Sequence, residues 1–337
     1  MSIQQGKSPR ASIFVRWSVL TLLVFTTGCN RDKLLKEIDE FDRAMNTGAT
    51  AIAAYYTNLN EQEYDLYFQL LELYPNCEVG DRINYGCINP EWQRGGRFFD
   101  SPLKKPPFPL ESIQARITLL KELTTYSKSL VALAGDDSPA QFQGNIIALG
   151  DRLTSLEKSF QALRDNNQNP DLTANQYIGP ISTIIGIFGK LYLQDLQWKE
   201  IRKAIINAED PVNTILTAVA ADLDRYVDPL QDVNANARYS RLINYYNNNR
   251  LRLSPGERVE VLAKIRDFKT AYDLAVLSKP STIPNQLKQV NLALVKTAKS
   301  NSSPQNLAQL KAELEQFKDD AEQLKNAIEQ LAGIKRG

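Results

Sequence analysis

The chemistry open to this chain is narrowed first by a residue it lacks. Its 337 residues include no histidine. That excludes nucleophiles activated by imidazole, His-ligated zinc, haem with a proximal His, and the Glu-x-x-His di-iron bundle. Carboxylates, amines, phenols and thiols remain. Asp224, Asp228 and Asp232 stand four apart with Asp222 beside them, and Glu61, Glu63 and Asp65 cluster at two-residue spacing. A cation site or an acid/base pair needs carboxylates that converge on one point. Two-residue spacing splays side chains around a helix, and a row at four-residue spacing reads as a solvated helix face. No EF-hand loop and no glycine-rich phosphate loop is present. The residues therefore predict a protein that is not an enzyme and that uses no metal or cofactor.

Two stretches have the composition of binding surfaces instead. Arg238–Arg252 (RYSRLINYYNNNRLR) mixes Arg, Tyr and Asn around Tyr245 and Tyr246. Such side chains stack on planar rings and hydrogen-bond around them. Glu91–Leu110 (EWQRGGRFFDSPLKKPPFPL) sets Trp92, Arg94, Arg97, Phe98 and Phe99 among glycines and prolines, and aromatic and Arg anchors are the residue types that dominate protein contacts. The balance of 40 Lys+Arg against 39 Asp+Glu supplies no field for nucleic acid. The expected partner is a protein or a glycan.

The first thirty residues address the chain to a compartment. Lys7, Arg10 and Arg16 form a basic start, and Trp17–Phe25 (WSVLTLLVF) is a nine-residue apolar run. That run is too short to span a bilayer and suits a signal peptide. Thr26-Thr27-Gly28-Cys29 follows. This segment resembles the lipobox of bacterial lipoproteins, with Thr26 standing where leucine is usual. The resemblance covers the export segment alone. It implies removal of residues 1–28, acylation of Cys29, and a membrane-held protein whose lipids include palmitate. Each buried methylene contributes about 0.8 kcal/mol, so two or three acyl chains attach a protein permanently where one would be marginal. Asn30 as the second mature residue resembles the sorting pattern of outer-membrane rather than inner-membrane lipoproteins. Loss of three basic residues moves the net charge from +1 to −2, so no polybasic clamp on anionic lipid is expected. With Cys29 acylated, Cys77 and Cys87 form an even pair in an exported protein. A disulfide between them is expected. The eleven-residue loop it closes is worth roughly 3 kcal/mol in the chain-entropy model.

The elements that must position these residues read as helix almost throughout, with 43% hydrophobic and 23% charged residues, as in globular proteins. Leu34, Ile38, Phe41, Met45, Gly48, Ile52, Tyr55 and Leu59 alternate spacings of four and three, a heptad seam in a first helix over about 32–74. Its Ala- and Gly-rich middle would admit a close neighbour. Prolines and glycines then forbid regular helix over 75–110. Further helices are expected near 110–134, 139–165, 173–208, 211–248, 255–277, 284–299 and 304–331. Ser138-Pro139, Asp210-Pro211, Ser254-Pro255 and Ser303-Pro304 predict capped starts, while Pro180 and Pro229 predict kinks or breaks. The last helix has the most regular pattern: Leu307, Leu310, Leu314, Phe317, Ala321, Leu324, Ile328 and Leu331, a seam about 36 Å long. It either packs within the chain, most simply against the first helix, or pairs two chains as a homodimer through 307–331. Tyr177–Leu193 is the most apolar mature stretch. It reads either as a helix buried on all sides or as an inserting segment similar to those of helical pore-forming toxins.

The fold expected for 29–337 is thus one all-α domain. It is an elongated multi-helix bundle with long heptad-patterned first and last helices and one disulfide-closed, Pro-rich irregular loop. The expected role is a lipid-anchored binding, tethering or scaffold protein of the cell envelope. The alternative is a membrane-active protein that inserts 177–193.

Overall fold

The computed structural model describes residues 12–80, 82–84, 98–103, 108–135, 139–165, 175–192, 198–277 and 279–333. Side chains are described for most of these from Asp32 onward, and not for the strands. The protein is mostly helical, as its apolar spacing predicts. Helix α1 (Ser12–Leu73) has 62 residues and is about 93 Å long. Its inward stripe of Leu34, Ile38, Phe41, Met45, Ile52 and Tyr55 is at most 1% exposed. The strands β1 (Arg82–Asn84) and β2 (Phe98–Asp100) follow, then α2 (Leu110–Ala134), α3 (Pro139–Asp165), α4 (Asn175–Tyr192), α5 (Trp198–Asn207) and α6 (Glu209–Asp222). A π-helical turn (Leu223–Val227) leads into α7 (Asp228–Asn249), α8 (Pro255–Leu277), α9 (Thr282–Lys299) and α10 (Pro304–Gly333).

Neighbouring helices close a circuit, α1–α2–α3–α4–α6–α9–α10 and back to α1. Aromatic rings fill its centre. Phe41 of α1 meets the edge of Tyr126 on α2 at 6.3 Å, Tyr126 meets Phe188 of α4 at 5.8 Å, and Phe188 meets Phe142 of α3 at 5.8 Å. The α10 seam lies in the same circuit, with Leu310, Phe317, Ala321 and Leu324 at most 1% exposed and α1, α8 and α9 as neighbours. Those apolar groups are already covered by the chain's own helices. Gly48 explains how closely α1 and α10 approach: a Cβ there would lie 2.9 Å from Phe317 Cζ and 3.1 Å from both Ile283 and Leu287. The α7–α8 hairpin lies outside the circuit, touching α1 through α7 and α10 through α8.

Several local expectations are corrected. The helix expected over 173–208 is two helices, α4 and α5. That expected over 211–248 is interrupted by the π turn, and Pro229 sits in the first turn of α7, where its missing N–H has no helical partner to lose. Pro180 does not split α4. It lies near the helix start, where only one backbone bond is removed. Ser254 and Glu257 form a reciprocal capping box (Ser254 N to Glu257 Oε2 2.7 Å, Glu257 N to Ser254 Oγ 3.3 Å), and Ser303 Oγ accepts from Asn306 N at 3.4 Å. Asp210 caps nothing, because α5 runs through helical Ala208 directly into α6. Ser138 lies outside the described residues.

The irregular stretch 75–110 carries a short antiparallel ladder that the sequence pattern does not announce. It pairs Arg82 with Asp100, Ile83 with Phe99 and Asn84 with Phe98. Side chains of α1 hold both of its ends. The Tyr67 hydroxyl accepts from Gly80 N at 2.9 Å and donates to Gly80 O at 3.1 Å. Asn60 grips the Phe108 backbone, its Nδ2 donating to the carbonyl at 2.6 Å and its Oδ1 accepting from the amide at 3.1 Å.

Helix α4 is neither buried on all sides nor an extended apolar rod. Tyr177, Ile181, Ile184, Phe188 and Leu191 form one buried stripe, while Cβ atoms built on Gly179, Gly186 and Gly189 would meet open space. Among the described residues, no helix is long and apolar enough to cross a membrane.

Candidate functional site

The most heavily connected polar group in the described protein is a buried ion pair. Arg116 occupies the apolar stripe of α2 between Ile113 and Leu120, and Asp222 ends the stripe Ile215–Val219 of α6. Their side chains are 3% and 5% exposed. Arg116 donates to both carboxylate oxygens, Nε to Oδ2 and Nη2 to Oδ1, each at 2.7 Å. Tyr56 of α1 donates its hydroxyl to Oδ2 at 2.7 Å. The guanidinium also reaches the Ser112 carbonyl at 3.3 Å and the Ser112 hydroxyl, and it lies 5.5 Å and 5.3 Å from the Tyr56 and Phe108 ring centroids. Burial works against the Arg116 charge, but the Asp222 hydrogen bonds and charge outweigh it and raise its pKa. Burial, then the Asp222 charge, holds the Tyr56 phenol far above its ordinary range. Asp222 already accepts three hydrogen bonds, so it is not offered as a base or as a cation ligand.

A groove of about 620 Å³ opens beside this node along α6, sharing Tyr177 and Asp222 with it. Asn213, Thr217, Tyr226 and Lys288 are also in its lining. Helix α9 contributes Lys288, whose Nζ donates to Thr217 Oγ1 at 2.9 Å, and Asn291, whose Nδ2 donates to Asn213 Oδ1 at 3.0 Å. The π turn brings Arg225 and Tyr226 to the groove's end. These two hydrogen bonds join α9 to α6. The lining can hydrogen-bond a polar ligand. No group of three or more acidic or Cys side chains suited to a metal occurs among the described residues.

The aspartates read as a solvated row are not all solvated. Asp228 is 3% exposed and accepts from Ser281 Oγ at 2.6 Å, and burial raises its pKa. A second buried acid, Glu122 on the α2 stripe, faces Arg152 of α3 at 2.9 Å. Burial pushes its pKa up to about 7, against the pull of Arg152. Asp42 of α1 accepts from Ser127 Oγ of α2 at 2.6 Å.

Of the residues singled out in the sequence, Trp92, Arg94, Arg97 and Cys87 lie outside the described residues. Phe98 and Phe99 are placed by backbone alone, on β2, and Cys29 by backbone alone, on α1. Tyr245 and Tyr246 are half-buried on α7, whose Arg241 Nη1 donates to the Leu66 carbonyl of α1 at 2.9 Å. The irregular loop is fixed to the same part of α1, at Asn60 and Tyr67. Arg241 of one expected binding stretch and Phe108 of the other are thus both bonded to the C-terminal half of α1. Compared with known proteins, the chain matches no family model, no curated protein and no solved structure.

Two predictions follow from the buried charges. Arg116→Met or Asp222→Leu alone leaves a charge buried without its partner and should cost roughly 3–5 kcal/mol in denaturant unfolding, with the double variant recovering most of it. Losses that simply add would contradict the coupling. Glu122 binds its proton more tightly when folded. Its contribution therefore makes stability fall as pH rises from its ordinary 4.5 to about 7. Thermal unfolding of Glu122→Gln should decline less over that window than the wild type.

Proposed function

We propose that this chain is an exported, lipid-anchored protein of the cell envelope that acts without catalysis as a binding, tethering or scaffold bundle. The observation that carries the reading is the Gly28-Cys29 pair after a nine-residue apolar run, resembling a bacterial lipobox. Its position relative to the fold adds support. Cys29 is five residues before Leu34, the first fully buried side chain among those described on α1. Those five residues span about 8 Å as helix and about 17 Å fully extended. An acylated Cys29 would hold the bundle directly against the bilayer, and the C-terminal end of α1, about 59 Å from Leu34, would be the end presented to partners. The envelope partner is a protein or glycan that meets Trp92, Arg94, Arg97, Phe98, Phe99, Tyr245 and Tyr246. Asn30 as the second mature residue favours the outer membrane.

A Cys77–Cys87 disulfide belongs to the same proposal. The bridge would close an eleven-residue loop that carries β1 (Arg82–Asn84). The intact mass of the native protein should rise by two hydrogens on reduction, and two free thiols in the unreduced protein would remove the bridge.

The anchor is tested by fractionation. Cys29→Ser should move the protein from the membrane pellet to the soluble fraction, with the same far-ultraviolet spectrum. A variant that stays in the pellet as firmly as the wild type would overturn the proposal.

A further inference from the structure

The groove along α6 holds a positioned cation with no carboxylate of its own. Its charged lining residues are Asp210, Asp222, Arg225 and Lys288. Asp222 is neutralised by Arg116. Arg225 is exposed and lies over the Tyr226 ring at 5.3 Å from the centroid. Lys288 is half-buried and forms no ion pair among the described residues. Its Nζ is held instead by a neutral oxygen. The Thr217 hydroxyl donates to the Asn213 carbonyl at 2.7 Å, which turns its oxygen toward Lys288 at 2.9 Å. One of the three ammonium donors is spent there. Asp210 stands seven residues before Thr217, about 10 Å along α6, and is not paired with Lys288. Its neighbour Glu209 is taken by Lys299 at 2.5 Å, and Asp224 lies outside the lining.

The neutral groups beside Lys288 are positioned as well. Asn213 Oδ1 accepts from Asn291 Nδ2 at 3.0 Å, which leaves the Asn213 Nδ2 donors to the groove. Asn291 behind it is fully buried, and its Oδ1 has no hydrogen-bond partner among the described residues. Thr214 adds an exposed hydroxyl, and Ala218 and Ala221 give a shallow apolar stretch. From Asp210 to Asp222 the groove follows α6 for about 18 Å, and it ends at the π turn, a kind of helical defect frequent at functional sites.

We propose that this groove binds an oligosaccharide that carries carboxylate groups. A ligand carboxylate sits on Lys288, and sugar hydroxyls meet Asp210, Asn213 and Thr214. The length of the groove suits an oligomer rather than a single small acid. Asp210 repels a polyanion such as polyphosphate or nucleic acid but accepts from hydroxyls. An extended peptide adds to a free strand edge, and a helical peptide needs pockets for large apolar anchors. The backbone of α6 is already hydrogen-bonded within the helix, and Ala218 and Ala221 form no such pocket. The site is separate from the loop and α7 residues assigned to a partner above, and it does not rest on Cys29.

Calorimetric titration of the full chain in detergent micelles, acylated or not, tests the proposal. The probes are two acidic tetrasaccharides, a galacturonate tetramer and an alternating N-acetylglucosamine–N-acetylmuramate tetramer, each beside its carboxamide derivative. At least one acidic probe should bind, and its carboxamide should bind roughly tenfold more weakly or worse. Lys288→Met should weaken the acidic probe by the same factor and abolish its advantage over the carboxamide, while Lys288→Arg should retain part of that advantage. Asp210→Asn should weaken acid and carboxamide alike. An unchanged far-ultraviolet spectrum and melting temperature show that the variants are folded. No binding of either acidic probe, equal binding of acid and carboxamide, or binding indifferent to Lys288→Met would overturn the proposal. Tighter binding of tetra-aspartate than of both sugars would overturn it too, and would assign the groove to an acidic peptide.

Discussion

One desolvated ion pair ties three helices of this fold, α1, α2 and α6, to a common register. Arg116 and Asp222 are 106 residues apart, and their charges are removed from water together with the Tyr56 hydroxyl. Placing either charge there alone would be prohibitive, so the pair is tolerated only when α1, α2 and α6 arrive in one register. A hydrophobic contact could slide by a turn at small cost. A bidentate guanidinium–carboxylate pair cannot, because both oxygens and both nitrogens must be matched. The node thus fixes which turn of α2 faces which turn of α6, and the aromatic chain of Phe41, Tyr126, Phe188 and Phe142 fills the space that this registration leaves.

The long helix α1 transmits that registration along the molecule. Its stripe from Leu34 to Tyr55 packs the circuit of helices, Gly48 lets Phe317 of α10 come close, and Asn60 and Tyr67 tie down the irregular stretch beyond. One continuous element thereby joins the segment that carries Cys29 to the end that carries the loop and the α7–α8 hairpin. The division of labour follows from burial. The circuit has an apolar interior, whereas α8 buries none of its described side chains. Stability resides in the first and the surface open to contact in the second.

Much of the architecture was legible in the sequence, because three-and-four spacing is a local signal that survives without tertiary knowledge. The bounds of α2, α3 and α8 agree with the pattern, and among the described side chains Leu34, Ile38, Phe41, Met45, Leu310 and Phe317 are buried. The interruption expected at Pro229 occurs just before it, but its form, a π turn over Leu223–Val227, was not legible, since no glycine or proline lies within that turn. The β1–β2 ladder is three residues long, too short for alternation to register. The candidate site was missed for a different reason. By spacing alone Asp222 reads as a neighbour of a solvated row, although it continues the apolar stripe of Ile215 and Val219. Arg116 and Glu122 likewise interrupt apolar stripes on α2. A charge on an apolar stripe is the signal a sequence can offer for a buried pair, but it does not say which charge elsewhere will meet it.

At the buried node the Asp222 carboxylate is neutralised by Arg116, and along the groove Lys288 joins Thr217 across α6 and α9. The account stands or falls on Cys29 as the first residue of the mature chain. Mass spectrometry of the N-terminal peptide, from protein extracted from membranes, tests it most directly. The account predicts a peptide that begins at Cys29 and carries a glyceride with acyl chains. An unmodified peptide that runs unbroken through Thr27, Gly28 and Cys29 would contradict it.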